Sequence, residues 1–205
     1  MRAMITGIIE FLGRGIIFLI NALGYSGIVL TMAIESACIP LPSEIIMPFA
    51  GYLVSLGRFS LWQVAFWGAV GNLLGSWLAY AVGYFGGRPF LERYGKYILM
   101  HKDDLDLADR WFRRHGQSTV FFSRLLPVIR TFISLPAGIV KMNFWKFSIF
   151  SFLGAWPWSF LLAWVGFKMG GRWQDLRVYF HRFDLLIGVF LVAGIFLFIR
   201  RHFKK

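Results

Sequence analysis

Residues 61–86 form an apolar run, LWQVAFWGAVGNLLGSWLAYAVGYFG, that contains no charged side chain. A helix rises about 1.5 Å per residue, so this run is long enough to cross the roughly 30 Å hydrocarbon core of a bilayer. Residues 144–168 form a second run of similar length. Because backbone groups find no water in that core, such runs must satisfy their hydrogen bonds within helices. The two runs therefore predict an all-α polytopic membrane protein.

The composition agrees with an integral membrane protein. Of 205 residues, 58% are hydrophobic and 16% are charged, and the mean hydropathy is +0.62, which is too apolar for an ordinary soluble domain. The net charge is +12. Its basic residues cluster at the ends of apolar runs, where they meet headgroups, so nucleic acid is not an expected partner. Cys38 is the single cysteine and excludes an intrachain disulfide.

About four full transmembrane helices are expected. Besides the two runs above, residues 4–22 and 184–199 are candidate spans. Glu10 and Arg14 interrupt the first of these and no small-residue cleavage site follows, so we interpret it as a retained helix. We expect one membrane domain over 1–205. Its expected parts are a first half (1–87), a cytoplasmic amphipathic segment (88–117), a second half (118–172) and a C-terminal loop and helix (173–205).

Prolines divide two further apolar stretches. Residues 25–56 are broken at IPLPSE, which contains Pro40 and Pro42, and proline does not continue a helix interior. Each arm reaches only about 18–20 Å, short of the ~30 Å core. This length favours a re-entrant hairpin over two full spans. A second re-entrant hairpin is expected over 118–140, with Pro127 and Pro136 as its breaks.

Basic residues set the expected orientation. The polar segment 88–116 holds seven Lys and Arg residues, and the chain ends in RRHFKK. Lys and Arg accumulate in the cytoplasmic loops of membrane proteins. We therefore expect this segment and both termini to be cytoplasmic.

The two halves of the chain resemble each other. Residues 58–68 (RFSLWQVAFWG) match residues 141–151 (KMNFWKFSIFS) at an offset of 83. In the expected orientation the two copies run in opposite directions, and inverted repeats with broken helices place transporter sites near the bilayer midplane. Other positions that match at this offset are Gly71 with Gly154, Ser76 with Ser159, and Gly83 with Gly166; PFAG (48–51) matches LPAG (135–138) at a slightly different offset.

Small residues recur every four positions along the run 61–86 and just beyond it. A helix places such positions on one face, and small residues let helix backbones approach closely. The pattern predicts a close packing surface. Its members are Gly71, Gly75, Ala79, Gly83 and Gly87.

Charged residues lie inside both expected hairpins. The first contains Glu35 and Glu44, and the second contains Arg124 and Arg130. Charges at membrane depth are costly, so they face protein, water or one another. Two interpretations stay open. The four charges neutralise one another and hold the hairpins together, or the arginines bind an anionic headgroup while the glutamates compete for them or carry protons.

Other candidate groups add little chemistry. Ser43 and Thr131 lie beside the breaks and either support a ligand or cap a helix, which is the commoner role. No residues have the spacing of a metal site, and no glycine-rich phosphate loop or G-x-S-x-G elbow is present. We therefore expect no cofactor, no metal and no enzymatic activity.

At these residues the sequence resembles the DedA family of membrane proteins, also called the SNARE-associated or VTT-domain family. The resemblance covers roughly residues 25–172 and is carried by ESACIPLPSE, PFAGYL and SRLLPVIRTFISLPAGIVKMNFWKF. Leu125 stands where the family usually has Phe, and some members have Asp where Glu44 stands.

The resemblance implies lipid transport in a bacterial cytoplasmic membrane. Family members are implicated in returning undecaprenyl phosphate across that membrane, and others in phospholipid movement. The family positions of functional importance correspond to Glu35, Glu44, Arg124 and Arg130. Three hypotheses follow: a proton-linked polyprenyl phosphate transporter, a phospholipid scramblase with low headgroup selectivity, and a non-transporting membrane scaffold. A homodimer is an open alternative to a monomer because closed dimers are the commonest oligomers.

Overall fold

The structure, a computed structural model, describes residues 15–37, 43–94, 102–126 and 129–170. Throughout these ranges the regular structure is helical, which confirms the all-α prediction. Several predicted features lie outside the described residues. They are the start of the first helix (4–14), Cys38, Pro40, Pro42, Pro127, and the C-terminal loop and helix (173–205).

Eight helical segments follow one another along the described chain. Two of them are long and six are shorter. They are α1 (15–23), α2 (Tyr25–Ser36), α3 (Ser43–Ser55), α4 (Leu61–Tyr94), α5 (Lys102–Arg124), α6 (Ile129–Phe132), α7 (Ser134–Ile139) and α8 (Phe144–Met169).

The long helices α4 and α8 cover the two apolar runs. Among the described helices, α8 is the one long and apolar enough to cross a membrane by length and composition, with a mean hydropathy of 1.4 over its most apolar window. Helix α4 has 34 residues, about 50 Å at 1.5 Å per residue. It contains 61–86 and continues into the segment predicted to be polar and separate. The total of about four spans stays a prediction.

The predicted border between the polar segment 88–117 and the second hairpin does not appear in the structure. Helix α5 runs through this border from Lys102 to Arg124 without a break. Gly116 lies in its interior, where it packs beside Met142, whose sulfur would be 3.5 Å from an added Cβ. Residues 102–117 of the amphipathic segment and the first arm of the second hairpin are therefore one helix.

The first hairpin consists of α2 and α3. These arms have 12 and 13 residues, and each reaches only about 18–20 Å. The chain between Ser36 and Ser43 separates them, as the IPLPSE sequence predicts. Their re-entrant course in the bilayer stays a prediction.

The second hairpin has a different second arm, divided into α6 and α7. Pro136 was predicted to be a break; the helix is interrupted just before it, and Pro136 itself lies inside the first turn of α7. Proline is tolerated there because the first N–H groups of a helix have no partner within it. The interruption comes at Ile133, between α6 and α7, because Pro136 has no N–H to donate to the carbonyl of Phe132.

The halves exchange hairpin arms. Helix α2 packs on α4, the long helix of its own half, whereas α3 packs on α8 of the other half. In the same way α5 packs on α8, and α7 packs on α4. Each long helix is therefore held between one arm of each hairpin.

Glycines at matching positions mediate this exchange. A Cβ on Gly51 would lie 2.0 Å from the carbonyl oxygen of Ala163, and one on Gly138 would lie 2.2 Å from that of Tyr80. Ala163 and Tyr80 are 83 residues apart, which is the offset between the two halves. The reciprocal pairs are Gly166 against Pro48 and Gly83 against Leu135. The repeat therefore describes real packing, while its inversion across the membrane stays a prediction.

The small-residue face of α4 is confirmed. A Cβ on Gly71 would lie 2.4 Å from the carbonyl oxygen of Val29, and one on Gly75 would lie 2.1 Å from that of Ala33. Real Cβ atoms do not approach that closely. Glycine at these two positions therefore sets the distance between α2 and α4.

We expect Gly75→Ala to destabilise the protein. The added methyl group overlaps the backbone of α2, so both helices must shift, and overpacking costs typically about 1–3 kcal/mol. Gly86→Ala is the matched control, because a Cβ there meets nothing within 4 Å. Thermal unfolding of the two purified variants measures the difference. Equal stability of both variants would contradict the close approach of α2 and α4.

Candidate functional site

One arginine, Arg130, forms ion pairs with the carboxylates of both glutamates in the first hairpin. The Nη2 atom of Arg130 lies 3.0 Å from Oε1 of Glu35 and 3.3 Å from Oε1 of Glu44. The same nitrogen donates to the hydroxyl oxygen of Ser43. The two hairpins therefore meet through a charged cluster, which we call the Arg130 cluster: Arg130, Glu35, Glu44 and Ser43.

The charged residues of this cluster lie at helix ends, next to the connections between the two arms of each hairpin. Glu35 lies in the last turn of α2, Glu44 is the second residue of α3, and Arg130 is the second residue of α6. The positive end of the α3 dipole favours Glu44, whereas the negative end of α2 disfavours Glu35. The guanidinium of Arg130 offsets the unfavourable position of Glu35.

The cluster is almost closed to its surroundings. The side chains of Arg130 and Glu35 are 3% and 5% exposed, and that of Glu44 is 16% exposed. The hydroxyl of Ser36 donates to Oε2 of Glu35 at 3.2 Å. Buried charges are tolerated when paired and hydrogen bonded, and removing one partner is strongly destabilising. Glu44 is the member closest to solvent or lipid headgroups.

Arg124 has a different environment. It is fully buried, at 0% exposure. Its Nη1 donates to the backbone carbonyl of Arg130 at 2.7 Å and to Oδ1 of Asn72 at 3.3 Å. Its Nη2 donates to the hydroxyls of Ser134 at 2.8 Å and Ser151 at 3.1 Å. These four acceptors are neutral and belong to α4, α6, α7 and α8.

The two arginines are thus joined but not equivalent. Arg124 holds the backbone of α6, and α6 carries the Arg130 side chain to the two carboxylates. The sequence predicted two carboxylates facing two guanidiniums. In the structure the two ion pairs are both made by Arg130.

One aromatic ring, that of Trp158, lies beside the Arg130 cluster. The guanidinium carbon of Arg130 is 5.5 Å from the ring centroid of Trp158, a cation–π distance. Two buried donors here, Nε of Arg130 and Nε1 of Trp158, have no hydrogen-bond partner among the described residues. Unsatisfied buried donors are costly, so these two N–H groups are well suited to an incoming anion.

The predicted supporting residues are also near the cluster. Ser43 is buried and accepts from Arg130, and Thr131 is half-buried in α6 next to Arg130. The sequence analysis did not identify Asn72, Ser151 and Trp158. Asn72 carried a usable signal, since a polar amide within an uncharged apolar run needs a partner. Ser151 and Trp158 are too ordinary in an apolar helix to be recognised without the fold.

Metal chemistry finds no support in the part of the chain that the structure describes. Residues 15–37, 43–94, 102–126 and 129–170 contain no group of three or more His, Cys, Asp or Glu side chains arranged to hold a metal ion. The site is instead made of guanidinium groups, carboxylates and hydroxyls. Such a set binds anions and exchanges protons.

The family model described as the VTT domain matches residues 41–168. The chain therefore belongs to the VTT-domain, or DedA, family of membrane proteins. The match includes both arginines and Glu44, and it begins after Glu35.

Several bacterial proteins are similar to the chain over most of its length. "Undecaprenyl phosphate transporter A" of Bacillus subtilis is 39% identical over 155 residues, 76% of each chain. "Uncharacterized membrane protein YkoX" of the same organism is 39% identical over 90% of this chain and 82% of its own. An "Alkaline phosphatase-like protein" of Lactococcus lactis is 30% identical over 92% of each. No solved structure matches the chain significantly.

We expect Arg124→Lys to destabilise the fold by about 3 kcal/mol, because an ammonium group cannot serve acceptors on four helices at once and leaves several of them unpaired. The exposed Arg110→Lys is the control for the same chemical change. Thermal unfolding of the purified variants is the measurement. An Arg124→Lys protein as stable as the Arg110→Lys protein would contradict a structural role for Arg124.

Proposed function

We propose that this protein transports a polyprenyl phosphate, such as undecaprenyl phosphate, across the bacterial cytoplasmic membrane. The observation that carries the proposal is the Arg130 cluster: a buried guanidinium, held by two carboxylates, at the meeting point of two broken helical hairpins. Broken helices and intramembrane charges are the usual elements of a transporter site.

The family membership supports this class of function. A relative that is 39% identical carries the name undecaprenyl phosphate transporter A, and a second protein of that name in Staphylococcus aureus is 27% identical over 91% of this chain. Both are bacterial, which supports a cytoplasmic-membrane location. The orientation of the termini stays a prediction.

Binding is proposed as an exchange of anions on Arg130. A phosphate monoester offers three oxygens to a guanidinium that the carboxylates of Glu35 and Glu44 otherwise occupy. Arginine suits this exchange because its planar fork binds phosphate through two parallel hydrogen bonds. Nε of Arg130 and Nε1 of Trp158 supply further donors.

Arg124 is assigned a supporting role in this mechanism. Its hydrogen bond to the Arg130 carbonyl fixes the part of α6 that presents the ligand-binding guanidinium. It also adds a positive charge near the bound phosphate. Both Nη atoms of Arg124 are held by neutral acceptors, so contact of either Nη with the phosphate would require one of these bonds to be given up.

Protons are proposed to release Arg130 for the phosphate. Glu44 is the more exposed of the two glutamates and makes the longer ion pair, at 3.3 Å, so its bond is the first to be given up when it takes up a proton. Protonation of both glutamates would leave two arginine charges, which a phosphate dianion balances. The four charged residues Glu35, Glu44, Arg124 and Arg130 then remain neutral as a set with or without substrate, and two protons accompany each dianion.

We expect Arg130→Lys to slow polyprenyl phosphate movement by about tenfold or more, because the lysine keeps the charge but loses the bidentate fork. The measurement is the accessibility of a fluorescent polyprenyl phosphate to a membrane-impermeant quencher in proteoliposomes. Arg58→Lys is the matched control. Arg58 is not part of the Arg130 cluster, and its Nη1 donates to Oδ1 of Asn21 at 2.9 Å. Size-exclusion profiles establish that each variant is folded.

An unchanged rate of polyprenyl phosphate movement in the Arg130→Lys protein would contradict the proposed role of Arg130. Two alternative functions give different results in the same assay. A scramblase moves fluorescent phosphatidylcholine as fast as the polyprenyl phosphate. A scaffold moves neither lipid, and a cellular function lost in Arg130→Glu returns in the charge-swapped pair Glu35→Arg with Arg130→Glu.

We expect Glu44→Gln to retain binding of the polyprenyl phosphate and to weaken the dependence of its movement on a pH gradient, because Glu35 can still carry one of the two protons. Glutamine fills the same space without taking up or releasing a proton. The measurement is the initial rate of polyprenyl phosphate movement with the pH gradient directed inward, directed outward and absent. Asp103→Asn or Asp104→Asn controls for loss of one negative charge in the polar segment. A gradient response equal to that of wild type would contradict proton uptake at Glu44.

A phosphatase activity has less support. One group of relatives carries the name alkaline phosphatase-like, but the described residues around Arg130 offer donors and carboxylates rather than a nucleophile activated by a base. Release of inorganic phosphate from the polyprenyl phosphate in the same proteoliposomes would favour the enzyme over the transporter.

A further inference from the structure

A second polar cavity lies apart from the Arg130 cluster. It has a volume of about 530 Å³ and is located between α5 and the turn that joins α7 to α8. Residues 112 and 114–118 line it from α5, and residues 140–143 and 146 line it from the turn and the start of α8. None of these residues belongs to the Arg130 cluster. The mechanism proposed for transport does not use them.

The lining of this cavity is basic. Arg114, His115, Lys141 and Lys146 all contribute to it, and its described lining contains no acidic residue. Neutral donors and acceptors come from Gln117, Ser118 and Asn143. Cations gathered without carboxylates raise the local concentration of anions.

Lys141 holds an unusual backbone conformation at the edge of this cavity. Its φ is 52°, and among the described residues it is the one non-glycine residue with positive φ. The corresponding turn of the first half uses Gly57, with φ 73°. This conformation closes the carboxyl end of α7, where the N–H of Met142 donates to the carbonyl of Ala137 at 3.0 Å. The Nζ of Lys141 lies 5.4 Å from the ring centroid of Tyr84, which holds the ammonium group in place.

The amino-terminal end of α8 adds to the positive character. Asn143 caps the helix by accepting the backbone N–H of Lys146 at 3.1 Å. Helix α8 has 26 residues, and the first N–H groups of a long helix carry a partial positive charge. This helix end and the four basic side chains therefore act on the same cavity.

Exposed aromatic residues surround the start of α8. Trp145 is 72% exposed and Phe144 is 37% exposed. Tryptophan and other aromatic side chains concentrate at the level of lipid headgroups. The cavity is thus placed where the phosphate of a lipid and a phosphate from solution both have access.

We propose that this cavity is a second anion site, which binds a phosphate monoester group. Arg114, Lys141 and Lys146 provide the charge-assisted hydrogen bonds, and the α8 amino terminus provides the fixed dipole. The ligand is either the headgroup of a phosphate-terminated lipid or free inorganic phosphate. This inference does not depend on the transport activity, because the site binds whether or not the Arg130 cluster moves a lipid.

The test compares binding by the full chain in nanodiscs of phosphatidylcholine. One arm adds short-chain phosphatidic acid and the other adds inorganic phosphate. The variant is Lys141→Gln with Lys146→Gln. The matched control is Arg58→Gln with Lys168→Gln, which removes the same charge from residues outside the cavity. Both double variants leave the Arg130 cluster unchanged, so any binding by that cluster is common to them and cancels in the comparison.

We expect phosphatidic acid to bind the Lys141/Lys146 variant about tenfold more weakly than the control, because two charge-assisted hydrogen bonds are lost. Equal weakening for inorganic phosphate identifies the phosphate group alone as the ligand. Weakening confined to phosphatidic acid identifies a lipid headgroup. Equal affinities of the two double variants for both probes would overturn the proposal, provided that thermal unfolding finds both folded.

Discussion

A buried guanidinium needs hydrogen-bond acceptors, and the two Nη atoms of Arg124 find four of them on four different helices. Its partners come from α4, α6, α7 and α8, while the arginine itself ends α5. The fixed fork geometry of arginine makes these positions interdependent. The α6 backbone lies where it does because Arg124 binds its carbonyl, and Arg130 reaches Glu35 and Glu44 only from that backbone.

Close glycine contacts make this arrangement possible. Helices that meet through Gly51, Gly138, Gly83 and Gly166 bring backbones together without intervening side chains. The broken hairpins then place their ends near one another in the interior. Polar side chains at those ends form a cluster with little exposure, so the electrostatic interactions within it are stronger than they would be in water.

Much of the charged network was predictable from the sequence, because the free-energy cost of placing charged side chains in a membrane is a strong constraint. Charged residues inside apolar runs had to meet, and Glu35, Glu44, Arg124 and Arg130 do lie in one connected network. The offset of 83 also matches Gly83 with Gly166, which pack in equivalent ways. The pairing within the network was not predictable, because four charges allow several pairings and only the backbone path of α6 selects among them.

The errors have equally local causes. The break expected at Pro136 comes three residues earlier, at Ile133, because a proline fits the first turn of a helix and lacks the N–H that the preceding turn needs. The polar segment was separated from the second hairpin by a change in composition, yet α5 continues across that border because no proline lies between Lys102 and Arg124. The hydrogen bonds of Asn72 and Ser151 to Arg124 could not be predicted, because they depend on which helices pack against α5.

The exchange of arms has a consequence for the order in which the chain can fold. Helix α3 packs on α8, which is encoded about ninety residues later. During synthesis the first hairpin is therefore inserted well before its packing partner exists, and Glu35 and Glu44 are made before Arg130. Until Arg130 has been made, the two carboxylates must be accommodated by water, lipid headgroups or bound protons. Glutamates without Arg130 as a partner are therefore a stage of synthesis as well as a stage of the proposed transport cycle.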